Sequence, residues 1–160
     1  MTKGTVEITK GDAQLVEGEF VNVKQSTVRS VEGGHVELQQ VGALTIDGEK
    51  IDVTQGAALI LRAKELNLNQ SISSLSLGEN ASLNFSFSPL VMAKEKISID
   101  KSAVGVMVSN EIKAGNTSSL VMIAKNIEGT VTTLLDWRGT LAVGAVLGGV
   151  WGLFKLLRHK

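Results

Sequence analysis

Slid along itself, the chain returns to the same apolar register every fifteen or sixteen residues. Successive copies begin at Leu44, Leu59, Leu75, Leu90, Gly105 and Leu120. The pairs Val91-Met92, Val106-Met107 and Val121-Met122 fall at a constant spacing of fifteen. Weaker copies precede them, from Leu15 to Val23 and from Val28 to Leu38. A unit this short cannot bury an apolar face alone, so each copy must be covered by its neighbours.

Within a unit, apolar residues alternate with polar ones in two short stretches. The first comprises Leu44/Ile46, Leu59/Leu61, Leu75/Leu77 and Leu90/Met92. The second comprises Ile51/Val53, Leu66/Leu68, Leu83/Phe85 and Ile97/Ile99. A period of two marks a strand with one buried face. Gly, Asn, Asp, Ser, Lys and Glu lie between, the residues of turns and solvated faces. Before residue 130 no helical stripe is sustained over three turns, and Ser, Thr, Asn and Gly are poor helix interiors.

The expectation is an all-β parallel β-solenoid of about 15–16-residue coils, each rising ~4.8 Å on the last. Seven or eight coils would make a rod of ~35–40 Å. Ile51, Leu66, Leu83, Ile97, Ile112 and Ile127 would stack as one internal row. Aromatics are 4% of the chain and tyrosine is absent, which suits a narrow aliphatic interior. The competing fold, an antiparallel sandwich of short hairpins, predicts turn signals but not one recurring register.

The character changes near residue 133. From Gly139 to Phe154 sixteen residues carry no charge. Extended to Leu157 the run holds one Lys and, as a helix, spans ~28 Å, close to the ~30 Å of a bilayer core. Lys155, Arg158 and Lys160 make a basic end, and Trp137 and Arg138 stand at the entry, so these residues and Trp151 are expected at the membrane interface. Thr133 to Asp136 reads as a capping box. The chain therefore divides into a solenoid domain, 1–132, and a C-terminal transmembrane helix with its basic end, 133–160. Thr140, Gly144, Gly148 and Gly152 recur every fourth residue, a ladder that lets helix backbones pack closely in lipid. A tail packed on the solenoid or lying in the interface is the alternative.

Composition excludes several chemistries. No cysteine is present, so disulfides, thiolate metal sites and a cysteine nucleophile are ruled out. The two histidines, His35 in a glycine turn and His159 in the tail, have no metal-spaced partners. Asp47, Glu49 and Asp52 gather around what reads as one solvated turn. No phosphate-binding glycine motif occurs. Residues 1–133 carry twelve Lys/Arg and fifteen Asp/Glu, a net −3, while 134–160 carry four and one, a net +3. A mildly acidic body lacks the basic stripe that nucleic acid needs. No cofactor, metal, small-molecule substrate or catalytic residue is expected, and the chain reads as no enzyme.

Stretches such as KISIDKSAVGVMV and LILRAKELNLNQ resemble the bactofilins, bacterial cytoskeletal β-solenoids that polymerise end to end. The resemblance is architectural and covers residues ~10–130. It implies a nucleotide-free cytoplasmic scaffold at the membrane. Two departures stand out: the coil here shows two strand pairs where the bactofilin coil is three-sided, and the anchor is C-terminal.

The functional expectation is a membrane-anchored structural protein that self-assembles as a homo-oligomer or polymer. Its partner is the lipid bilayer. The alternative is a membrane-tethered module whose solenoid surface binds a glycan or a partner protein. Sidedness is a conflict. The basic end favours a cytoplasmic tail, whereas the N-terminus has no apolar signal region and predicts a body that is not exported. The second argument is weighted more, which puts the body in the cytoplasm.

Overall fold

A computed structural model describes residues 4–133 of the chain. Ten strands follow one another: β1 (Thr5–Thr9), β2 (Asp12–Lys24), β3 (Thr27–Gln39), β4 (Gly42–Thr54), β5 (Ala57–Asn69), β6 (Ile72–Asn84), β7 (Phe87–Asp100), β8 (Ala103–Val108), β9 (Glu111–Ile123) and β10 (Asn126–Thr133). They form one sheet in chain order, and every pairing is parallel. The partner of each residue lies fifteen positions away through most of the body, as Val36 with Ile51 and Ile51 with Leu66. This is a parallel β-solenoid of about eight turns. Its coils run 12–26, 27–41, 42–56, 57–71, 72–86, 87–102, 103–117 and 118–133, numbered 1 to 8 below, with β1 as part of a preceding turn.

The inward residues explain how a thirteen-residue strand closes on itself. In coil 3, Ala43, Ile46, Ile51 and Val53 are buried. With Gly48 and Gly56, inward residues then come in pairs two apart, each pair followed by a step of three. A step of three puts two successive residues outside, and the strand must bend there. Three such bends make a three-sided coil. The first side holds the rows of Ser26/Val28 and Ser71/Ser73, the second Val16/Gly18 and Ile46/Gly48, the third Val21/Val23 and Ile51/Val53.

The expected two-pair coil is therefore corrected to three. The missed side is lined by Val41 and Ala43, Gly56 and Ala58, Ser71 and Ser73, Ser86 and Ser88, and Ser102 and Val104. Small and hydroxyl residues leave no apolar alternation to read. The partner residue of the second side is small for a steric reason. A Cβ on Gly33 would lie 2.8 Å from the Gly18 carbonyl oxygen and 3.1 Å from methyls of Val21 and Val36.

Two rows also differ from expectation. Leu83 does not continue the row of Ile51 and Leu66. Ala81 does, and Leu83 stacks between Leu68 and Ile99. A slip of two residues keeps every side chain on its face, so alternation alone cannot detect it. Leu75 likewise pairs with Ile60 and Leu90 rather than with Leu59. The inward residues there are Ser76 and Val91, and Leu44, Leu59 and Met92 are exposed. Ile127 pairs with Ile112 as expected but is exposed. Phe85 is not inward: it sits outside at a corner with φ 48°.

That corner closes the third side. Lys10, Gln25, Gln40, Gln55, Gln70, Phe85, Lys101 and Asn116 all adopt positive φ, between 43° and 56°. Each non-glycine residue there costs about 1 kcal/mol. Hydrogen bonds between coils offset the cost. Gln25 Nε2 donates to Gln40 Oε1 at 3.1 Å, Gln40 to Gln55 at 3.2 Å and Gln55 to Gln70 at 3.1 Å. The following serines bridge coils from inside. Ser71 Oγ donates to the Asn69 carbonyl at 2.8 Å and accepts from the Gly56 amide at 3.2 Å.

Coil 5 reverses the usual polarity. Ser73 and Ser76 are fully buried, as is Ser88 above them. Their hydroxyls satisfy one another: Ser73 Oγ lies 2.8 Å from Ser76 Oγ and donates to Ser88 Oγ at 3.0 Å.

Two stability outcomes follow. Phe85→Asn puts a residue tolerant of positive φ at the top of the glutamine ladder, and should stabilise the chain by about 0.5–1 kcal/mol, read as a raised thermal midpoint in detergent. Ser73→Ala alone leaves the Ser76 hydroxyl buried without a partner and should cost about 1–3 kcal/mol. The triple change Ser73→Ala, Ser76→Val and Ser88→Ala removes the whole polar group and should recover most of that loss in the same measurement.

Candidate interaction surface

Outward residues differ sharply along the rod. On the first two sides, coils 1 to 3 carry Asp12, Glu17, Arg29, Glu32 and Asp47, and coil 4 carries Arg62. The corresponding stretches of coils 5 to 8 are 72–78, 87–93, 103–109 and 118–124, and none contains a charge. The charges of those coils all fall beyond, in 79–86, 94–102, 110–117 and 125–133. In cross-section this half of the solenoid has one charged side and two uncharged ones.

The uncharged sides meet at a corner made by Leu75, Leu90, Val106 and Val121, which stack in register and are half-buried. Pro89, Gly105 and Leu120 precede three of them. On one flank Ile72 and Phe87 pair, 58% and 49% exposed. On the other, Leu77, Met92, Val108 and Ile123 continue the column that Glu17, Glu32, Asp47 and Arg62 begin. Coil 5 is the extreme case, with serines inside and Ile72, Leu75 and Leu77 outside.

A different surface runs from the N-terminal half into coils 5 and 6. Along the second corner the backbones of Gly18, Gly33, Gly48 and Gly78 floor a shallow groove of about 630 Å³ with a mixed-charge rim. Lys64 Nζ lies 2.7 Å from Glu49 Oε1, and in the C-terminal half Lys113 Nζ lies 2.9 Å from Glu128 Oε2. In each pair the hydrogen bond and charge of the lysine hold the Glu49 or Glu128 carboxyl below its ordinary value, and those of the glutamate push the Lys64 or Lys113 ammonium group up. All four groups are exposed, where ion pairs contribute little.

Asp47, Glu49 and Asp52 do not share a turn. All three lie on β4: Asp47 and Glu49 both line the groove, and Asp52 stands apart on the third side. There Asp52 accepts from Asn67 Nδ2 at 2.7 Å and lies 3.5 Å from His35 Nε2. His35 likewise belongs to β3 rather than to a turn. Among the described residues no three His, Cys, Asp or Glu side chains gather where they could hold a metal ion.

The sequence-predicted membrane residues, Thr140, Gly144, Gly148 and Gly152 with Trp137, Arg138, Trp151, Lys155, Arg158 and Lys160, lie outside the described residues. Among the described residues no helix is long and apolar enough to cross a membrane. Comparison with protein-family models, curated proteins and solved structures finds no match. The uncharged corner escaped sequence reading, although its signal is present. Residues 71–78, 81–93, 102–109 and 114–124 are charge-free, but only the coil register brings them together.

The paired carboxylates contribute stability above their ordinary range and lose it as pH falls through the lowered folded values. The paired lysines contribute below their ordinary range and lose it only as pH rises through the raised ones. These two pairs should therefore add no pH dependence to the thermal midpoint between roughly pH 5 and 10, and little salt dependence.

Proposed function

We propose that this chain is a membrane-anchored scaffold protein, similar in design to the bactofilins, whose solenoid body self-assembles. One observation carries the reading. Among the described residues β1 pairs only with β2, and the first part of β2 pairs only with β3, so the described N-terminal turn has an open backbone edge. Unpaired strand edges template further pairing, and a coil from another copy can continue the same parallel register. The apolar run 139–157 supports the anchor, and the ladder Thr140, Gly144, Gly148 and Gly152 supports helix packing between copies. The reading assigns no catalytic residue and no cofactor, and puts the body in the cytoplasm.

A second reading, a tethered binding module, draws on the glycine-floored groove, which is open and rimmed with both signs of charge. A glycan or an extended protein segment is the occupant it suits.

Electron microscopy of the detergent-purified chain separates the two. Rings, tubes or filaments with a regular repeat support the scaffold, while discrete monomers at all concentrations refute it. Gly148→Leu should reduce oligomer size by light scattering, and unchanged size would remove the helix ladder from the account. Protease digestion of intact and opened cells tests sidedness: a body cleaved only after opening is the expected result.

A further inference from the structure

We propose that the uncharged corner of coils 5 to 8 inserts into the boundary between headgroups and acyl chains, so that the solenoid lies along the bilayer rather than standing off it. This rests on reading 139–157 as a membrane anchor.

Position makes the first argument. β10 ends with Thr133 paired to Ser119, and the two residues after Ser119 are Leu120 and Val121, part of the corner itself. The chain thus leaves the described body at the foot of the ridge, just before its long apolar run. From there Val121, Val106, Leu90 and Leu75 lead away along one line. The corner column runs one coil further, to Ile60, while the flanking column turns polar there at the exposed Arg62. Beyond it Asp47, Glu32 and Glu17 occupy that column, residues that avoid an anionic surface. The uncharged stretch therefore lies nearest the point where the chain leaves the described residues, and the acidic stretch lies farthest from it.

Shape makes the second argument, and it decides between lipid and a second copy of the chain. Four coils span ~19 Å, and one side of about five residues is ~16 Å wide, a footprint of ~300 Å² against the ~800 Å² per partner of a standard protein interface. The apolar residues are spread over two sides that meet at a convex edge. A rigid second copy can cover only one of those sides. A fluid bilayer closes around both.

Polarity makes the third. In coil 5 the hydroxyls of Ser73 and Ser76 are buried while Ile72 is 58% exposed and Leu75 and Leu77 face outward. An outer surface more apolar than the core beneath it suits an apolar surrounding. The charges of these coils lie on the third side and on the two corners that bound it, away from the ridge, the arrangement that holds amphipathic elements in the interface plane.

The absence of cysteine allows clean labelling. Single variants Met92→Cys and Val108→Cys on the ridge, Ser82→Cys on the third side and Val150→Cys in the apolar run would carry an environment-sensitive fluorophore. The full chain would be reconstituted in vesicles of phosphatidylcholine with a minor fraction of phosphatidylserine. Nitroxide-bearing lipids should quench labels at 92 and 108 to a degree comparable with 150, and leave 82 unquenched. Quenching at 150 without quenching at 92 and 108 overturns the inserted ridge and leaves the anchor intact. Labels at 92 and 108 that are shielded from aqueous iodide, unquenched by lipid and self-quenching between copies overturn it in favour of a dimer face. No lipid quenching at any position removes the anchor and the ridge together.

Discussion

Parallel stacking in register is the constraint on which everything else in this molecule rests. Each coil both donates backbone hydrogen bonds to and accepts them from the coils on either side of it. No coil has a core of its own. The rows Ile46 and Leu61, Ile51 and Leu66, and Val53 and Leu68 bury one another only because residues fifteen apart lie directly over each other. Stability in such a stack is nearly a sum over neighbouring pairs, so the end coils are the weak ones and also the ones open to another chain.

The same stacking dictates the corners. A coil of fifteen residues has to bend three times, and from Lys10 to Asn116 the bend after the third side takes a residue with positive φ in each successive turn. Elsewhere glycine usually fills such a place. Here glutamine fills it in four successive coils, because stacking turns one amide into a ladder of amides. The serines beside the ladder bind amides of the neighbouring coil that the bend would otherwise leave without a partner. Local strain and long-range pairing are thus two sides of one arrangement.

Stacking also turns composition into surface. A residue type repeated at one position of the coil becomes a stripe along the rod, and a change of type along the chain becomes a change of surface along the axis. The second side runs from Glu17, Glu32 and Asp47 through Arg62 to Leu77, Met92 and Val108. The acidic end and the apolar end of that column are what give the rod a direction relative to the membrane anchor proposed for its C-terminus.

Much of this was legible in the residues themselves. The spacing of Val91, Val106 and Val121, and the alternation of Ile51 with Val53 and of Leu66 with Leu68, determined a parallel stack of short coils. A repeat too small to fold alone has no other way to bury its apolar side chains. What only the tertiary structure decided was which residue lies over which. Leu83 and Ala81 are both inward, and a two-residue slip exchanges their rows without turning either to solvent. The serine-lined first side was silent because hydroxyls carry no hydrophobic period. The charge-free corner was silent because its members are scattered over some fifty residues of chain and meet only when the turns are wound on one another.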